Sequence, residues 1–251
     1  MKTKVPIQMT AVLFFSGLIL TGQRWEETPY NEWSFLQVYD VLLNSSWVEL
    51  GGTAPAPEMA SGFPATYRIR LLSAKPIREA FLRLASLTVR ERTINVKDLS
   101  APDIQMEQAR LRKFLSSETG KLVTQAEDRY VIICMTLRLK WPSNSSGLLF
   151  PPPQHWIDLF DEERLPEDPS DFDSDTTLST NTGQHVSLVQ FIPPRKSLLG
   201  ALFLFPRNLA DGRPLIMVGD KKLRFKTKIK GTKIKATFNL KNMVYKGNLE
   251  F

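Results

Sequence analysis

Residues 222–241 read KLRFKTKIKGTKIKATFNLK, and this stretch decides how the second half of the chain folds. Apolar residues alternate with lysine and other polar residues through both arms, the period-two mark of strands with one buried face. Gly231 and Thr232 lie between the arms and predict a two-residue type II′ turn with glycine first. That turn sets a register: Ile229 opposite Ile234, Thr227 opposite Ala236, Phe225 opposite Phe238 and Leu223 opposite Leu240. A second short loop at Lys241 and Asn242 adds a third strand, so the expected unit is an antiparallel β-meander. Thr227, Ala236 and Gly247 would then form a row of small residues, into which a helix or another strand should pack.

The opposite face of the same arms carries Arg224, Lys226, Lys228, Lys230, Lys233 and Lys235. In this register Lys230 faces Lys233 and Lys228 faces Lys235, and like charges directly opposite cost stability. Glu250 is the expected partner of Lys233. These six residues are the candidate anion-binding site. The competing reading is a solvated face that keeps the sheet's edges from pairing with other chains. Nucleic acid is disfavoured, because its readers combine arginine at base edges with stacking aromatics, whereas this face is lysine and its aromatics point inward.

Working outward, the charge of the chain is polarised. The 251 residues carry a formal +7, yet residues 220–251 alone hold ten Lys or Arg against two acids, a net of +8. Residues 154–176 hold nine acids against Arg164, a net of −8. The two poles can neutralise each other or meet outside partners. Within the acidic stretch, Asp171, Asp173 and Asp175 have the D-x-D-x-D spacing that opens a calcium loop, where alternate carboxylates converge on a hard cation. Thr176 stands where such a loop needs its turn glycine, and Thr182 where it needs a bidentate Glu. A solvated acidic loop is therefore expected, with calcium as the alternative and no other cofactor.

Lys2 and Lys4 precede an apolar run of ten residues, AVLFFSGLIL at positions 11–20, followed by the small residue Gly22. This is the pattern of a cleavable signal peptide. Ten residues rise about 15 Å in a helix, roughly half a bilayer's hydrocarbon core, which disfavours a spanning anchor. Export to the periplasm or the cell exterior is the expectation, with no transmembrane anchor after cleavage.

Between these ends the sequence predicts an α+β, strand-rich fold, sandwich-like or with its sheet covered by a helix. The expected divisions are a signal peptide (1–22), a leader and Gly/Ala/Pro-rich linker (23–64), an α+β part (65–150), an acidic loop (151–183) and an antiparallel β part (184–251). A helix is possible over 34–43. The linker proper is the GGTAPAPEMASGFP of 51–64. Residues 65–72 alternate as a half-buried strand, with Arg68 and Arg70 outward. Pro76 opens a helix whose Ile77, Phe81, Leu84 and Thr88 recur at helical spacing. Ser100, Pro102 and Asp103 start another, with Ile104, Gln108, Leu111 and Leu115 on one face. Residues 129–141 (RYVIICMTLRLKW) form the most emphatic strand, apolar on both faces in its first half as a central strand would be. Further strands are expected at 185–192, 198–205 and 215–218.

No catalytic signature accompanies this framework. Cys134 is the single cysteine, so no internal disulfide exists, and its apolar neighbours read as a strand core. The chain lacks G-x-S-x-G, S-x-x-K and H-E-x-x-H, and its two histidines, His155 and His185, stand in no recognisable metal or triad spacing. The expected function is a non-catalytic envelope or extracellular interaction protein, its partner an anionic envelope component or another envelope protein. The rival expectation is a secreted or periplasmic hydrolase whose carboxylate pair assembles only on folding.

Overall fold

The computed structural model describes residues 24–54, 65–87, 101–125, 129–139, 176–193, 199–229 and 232–251. The expected signal peptide, Asp171, Asp173, Asp175, Lys230 and the helix cap Ser100 lie outside the described residues, as does most of the acidic loop. What is described is α+β and strand-rich. Helices α1 (Phe35–Asn44), α2 (Lys75–Ser86), α3 (Ala101–Ser116) and α4 (Glu118–Gln125) accompany strands β1 (Val48–Ala54), β2 (Ala65–Leu71) and β3 (Tyr130–Leu139). There follow β4 (Thr177–Thr180), β5 (His185–Ser187), β6 (Gln190–Ile192), β7 (Ala201–Pro206), β8 (Lys222–Ile229), β9 (Thr232–Asn239), β10 (Val244–Tyr245) and β11 (Asn248–Leu249).

The strands form two principal antiparallel sheets. The first has the order β1-β2-β3-β7-β6 and the second β5-β4-β8-β9. They pack face to face through aromatics. Phe225 of the second sheet meets Phe203 and Phe205 of the first, at ring separations of 5.2 and 6.0 Å. At one edge the sheets share a strand. The stretch predicted as a single strand over 185–192 pairs first with β4 and then with β7, turning the corner at Leu188 and Val189. At the other edge β1 lies against β9. A Cβ on Gly51 would stand 2.4 Å from the Lys235 carbonyl oxygen, so only glycine permits this approach. The start of the predicted linker is thus an edge strand, bulged between Gly51 and Thr53.

The helices cover the far face of the first sheet. Ser34 and Gln37 close a capping box at the start of α1, which buries Val38, Val41 and Leu42. Helix α2 has Pro76 in its first turn and buries Ile77, Phe81 and Leu84, three of the expected face, together with Ala80; Thr88 lies outside the described residues. Because this sheet is covered on both sides, Arg68 and Arg70 are buried and do not face solvent as the alternation of β2 implied. Arg70 Nε donates to the Leu42 carbonyl near the end of α1 (2.7 Å), and Nη1 donates to the Thr136 hydroxyl (3.0 Å). Arg83 donates to the Trp33 carbonyl (2.9 Å) and is ion-paired with Glu107, tying α2 to α3.

The hairpin of residues 222–239 forms in a register two residues from the expected one. Ile229 pairs with Thr232, Thr227 with Ile234, Phe225 with Ala236 and Leu223 with Phe238. A two-residue slip keeps every side chain on its face, so the hydrophobic pattern cannot distinguish the two registers. The third strand of the meander is not formed. Leu240–Asn242 makes a 3-10 turn, and β10 and β11 pair only with each other. Lys246 and Gly247 between them have φ of +49° and +83°, the two positive values of a type I′ hairpin turn, so the tail closes on itself. Gly247 therefore stands outside the expected row, while Thr227 and Ala236 are buried between the sheets. Residues 215–218 are not a strand either. The chain there bridges Asn208 to Pro214 and then turns at Met217.

Candidate anion-binding face

The second sheet buries one face and exposes the other. Leu178, Val186, Leu223, Phe225, Thr227, Ile229, Ile234, Ala236 and Phe238 point inward. The face is anchored from beneath by a buried hydroxyl pair, Thr176 with Thr227 at 2.7 Å. Outward point Lys222, Arg224, Lys226 and Lys228 from β8, and Lys233, Lys235 and Thr237 from β9. Lys226, Lys233 and Lys235 are exposed, Arg224 and Lys228 half-buried.

The structure thus brings five of the six predicted cations onto one surface, but with different neighbours. Lys226 faces Lys235 and Lys228 faces Lys233. Paired strands lie about 4.8 Å apart and alternate residues about 6.8 Å apart along a strand, so four lysines leave the sheet from a patch only two residues wide. Strands β4, β5, β8 and β9 contain no acidic residue. Glu250, the expected partner of Lys233, instead accepts a hydrogen bond from the Lys75 backbone N–H at the start of α2 (3.3 Å).

The face also extends further than the sequence indicated. β4 pairs with β8, placing Thr177 beside Lys226 and Ser179 beside Arg224, and β5 adds Ser187 beside Thr177 and His185 beside Ser179. One continuous row therefore runs Ser187, Thr177, Lys226, Lys235, and the next runs His185, Ser179, Arg224, Thr237. A strand beginning at His185 was expected from the sequence. Its pairing was not, because β4 lies within a Ser/Thr/Asp-rich run that reads as loop.

Two other constellations stand elsewhere. On the helix-facing side of the first sheet, Cys134 is paired across strands with Arg70 and donates to the Leu199 carbonyl. Burial pushes its thiol up to about 11 against the opposing pull of Arg70, and burial lowers the Arg70 guanidinium to about 10. This is an inert, packed thiol. At the second constellation, Tyr245 donates to Glu79 (2.8 Å), and its phenol is raised by burial and by Glu79, Glu250 and Glu26. Trp25 stacks on the Tyr245 ring at 5.7 Å and Trp47 donates to the Glu250 carbonyl (2.8 Å), so the group joins the two ends of the described chain.

A cleft of about 230 Å³ lies between α4 and the edge of the first sheet, lined by Glu118, Leu122, Gln190, Ile192, Leu199 and Leu202 among others. It is smaller than sites that enclose a typical small-molecule ligand. Among the described residues no cluster of His, Cys, Asp and Glu is arranged to hold a metal ion, and no helix is long and apolar enough to cross a membrane. Comparison with family models, with characterised proteins and with solved structures finds no match to this chain.

Proposed function

We propose that this chain is an exported, non-catalytic interaction protein that binds an anionic component of the cell envelope or its surroundings through the outer face of its second sheet. The observation that carries the reading is the direct opposition of Lys226 and Lys235 on an outer face that also carries Lys222, Arg224 and Lys233. Opposed like charges work against folding, so an arrangement that concentrates cations on one face suits an anionic partner. The flanking hydroxyls of Thr177, Ser179 and Ser187 add neutral hydrogen-bond donors. Export rests on the cationic start and the short apolar run at residues 11–20.

The test is binding of the full mature chain to an acidic polysaccharide across a salt series. Affinity should fall steeply with salt, and a Lys226→Glu, Lys228→Glu, Lys235→Glu variant should lose most of it. Binding that ignores both salt and these substitutions would reject the reading.

A further inference from the structure

The basic face ends in a feature that a purely polar ligand does not require. Where the chain enters β8, residues 217–220 form a tight turn at whose tip Val218 is fully exposed, with a relative accessibility of 108%. The turn is closed twice: the Asp220 N–H donates to the Met217 carbonyl (3.0 Å), and the Met217 N–H donates to the Asp220 carboxylate (2.8 Å). Gly219 has φ of +100°, which fits the third position of a type II turn. The valine is therefore held out by a defined scaffold.

Cations gather at the same end. The Asn181 side-chain oxygen accepts from the Lys221 and Lys222 N–H groups (2.6 and 2.9 Å), and the Leu240 N–H donates to the Lys221 carbonyl (3.0 Å), which brings Lys241 alongside. Lys221, Lys222 and Lys241 are all exposed. The acid in the turn, Asp220, stays ionised and sets one negative charge against the three lysines. Burial pushes its carboxyl up, but hydrogen bonds from the Thr182 hydroxyl and the Met217 N–H outweigh this and leave it below the ordinary range. The tip thus presents an exposed apolar side chain next to three exposed lysines, continuous through Lys222 with Arg224 and Lys226.

We propose that this end of the second sheet docks on an anionic lipid surface. Val218 enters the boundary between headgroups and acyl chains, while Lys221, Lys222 and Lys241 meet lipid phosphates. Each lysine near such a surface adds a modest, salt-screened attraction, and the buried valine adds a part that salt does not screen. A soluble polyanion would use the lysines alone. The proposal rests on the anion-binding reading above and narrows its partner.

The experiment is co-sedimentation of the full mature chain with vesicles of equimolar phosphatidylcholine and phosphatidylglycerol, beside vesicles of phosphatidylcholine alone. The acidic polysaccharide serves as a parallel ligand. Binding is expected only to the anionic vesicles. Val218→Ser, at an exposed position that leaves the fold intact, should weaken vesicle binding about threefold or more while leaving polysaccharide binding unchanged. A polarity-sensitive dye on Val218→Cys should shift to the blue with anionic vesicles and stay put with polysaccharide; Cys134 is buried and takes no label in the native protein. Anionic-vesicle binding that is indifferent to Val218→Ser, with an unmoved dye, overturns the proposal and leaves the broader reading standing. So does binding to polysaccharide without binding to vesicles. Binding to neither overturns both.

Discussion

Arg70 shows how much one side chain can hold. It is fully buried, and its contacts are the Leu42 carbonyl, the Thr136 hydroxyl and the neighbouring Cys134 thiol. The carbonyls at the end of α1 carry partial negative charge, so the guanidinium both satisfies a terminal acceptor and fixes the helix to the sheet. Arg70→Ala should lower the free energy of unfolding by about 3 kcal/mol, from unpaired acceptors together with a cavity. Arg70→Met, which fills the space without a buried charge, should cost less, and urea denaturation of the two variants measures the difference. Cys134 offers a pH test. Between the free thiol's value of about 8.5 and the buried thiol's value of about 11, the native state keeps a proton that the unfolded chain has lost, so stability falls as pH rises. The depressed Arg70 acts with the opposite sign, and only above about 10. The urea midpoint should therefore drop from pH 8.5 toward 10 in the native sequence and drop less in Cys134→Ala, the window following from the buried thiol.

At the scale of elements, the edge contact of β1 with β9 and the lysine rows make separate predictions. Gly51→Ala places a methyl against the Lys235 carbonyl and should destabilise by about 1–3 kcal/mol, read as a lower melting temperature. Lys235→Glu converts the Lys226 pair to opposite charges and should raise stability by about 0.5 kcal/mol at low salt while weakening polyanion binding. A loss of stability in that variant would contradict the repulsion ascribed to the opposed lysines. The helices α1 and α2 and the central strand β3 were legible in the sequence, because prolines and apolar spacing are local signals. The register of β8 and β9 was not, since period-two patterning is blind to a slip of two. Nor was the burial of Arg68 and Arg70, which depends on the helical layer and not on β2 itself. Lys226 and its neighbours were found from alternation alone, whereas Ser179 and His185 required knowledge of which strands lie side by side. Helix α4 escaped because its eight residues include Gly120 and two threonines, poor helix formers.

On the scale of the whole molecule, Trp25 closes the structure by stacking on Tyr245 and meeting Trp33 and Trp47 edge to face, at 5.6 and 6.2 Å. Trp25→Ala should lower stability by about 2 kcal/mol and the melting temperature by roughly 4–8 °C. The corner at Leu188 and Val189 has a different consequence. Because the same few residues supply a rung to each sheet, neither sheet can shed its partner without breaking its own ladder. Amide protons in β3 and β8, on opposite sides of the core, should then exchange with deuterium through one common opening event, at a single protection level set by global unfolding. Among the described residues the two layers are tied at this corner, so a partner held at the basic end is held by a sheet that is itself stitched to its neighbour.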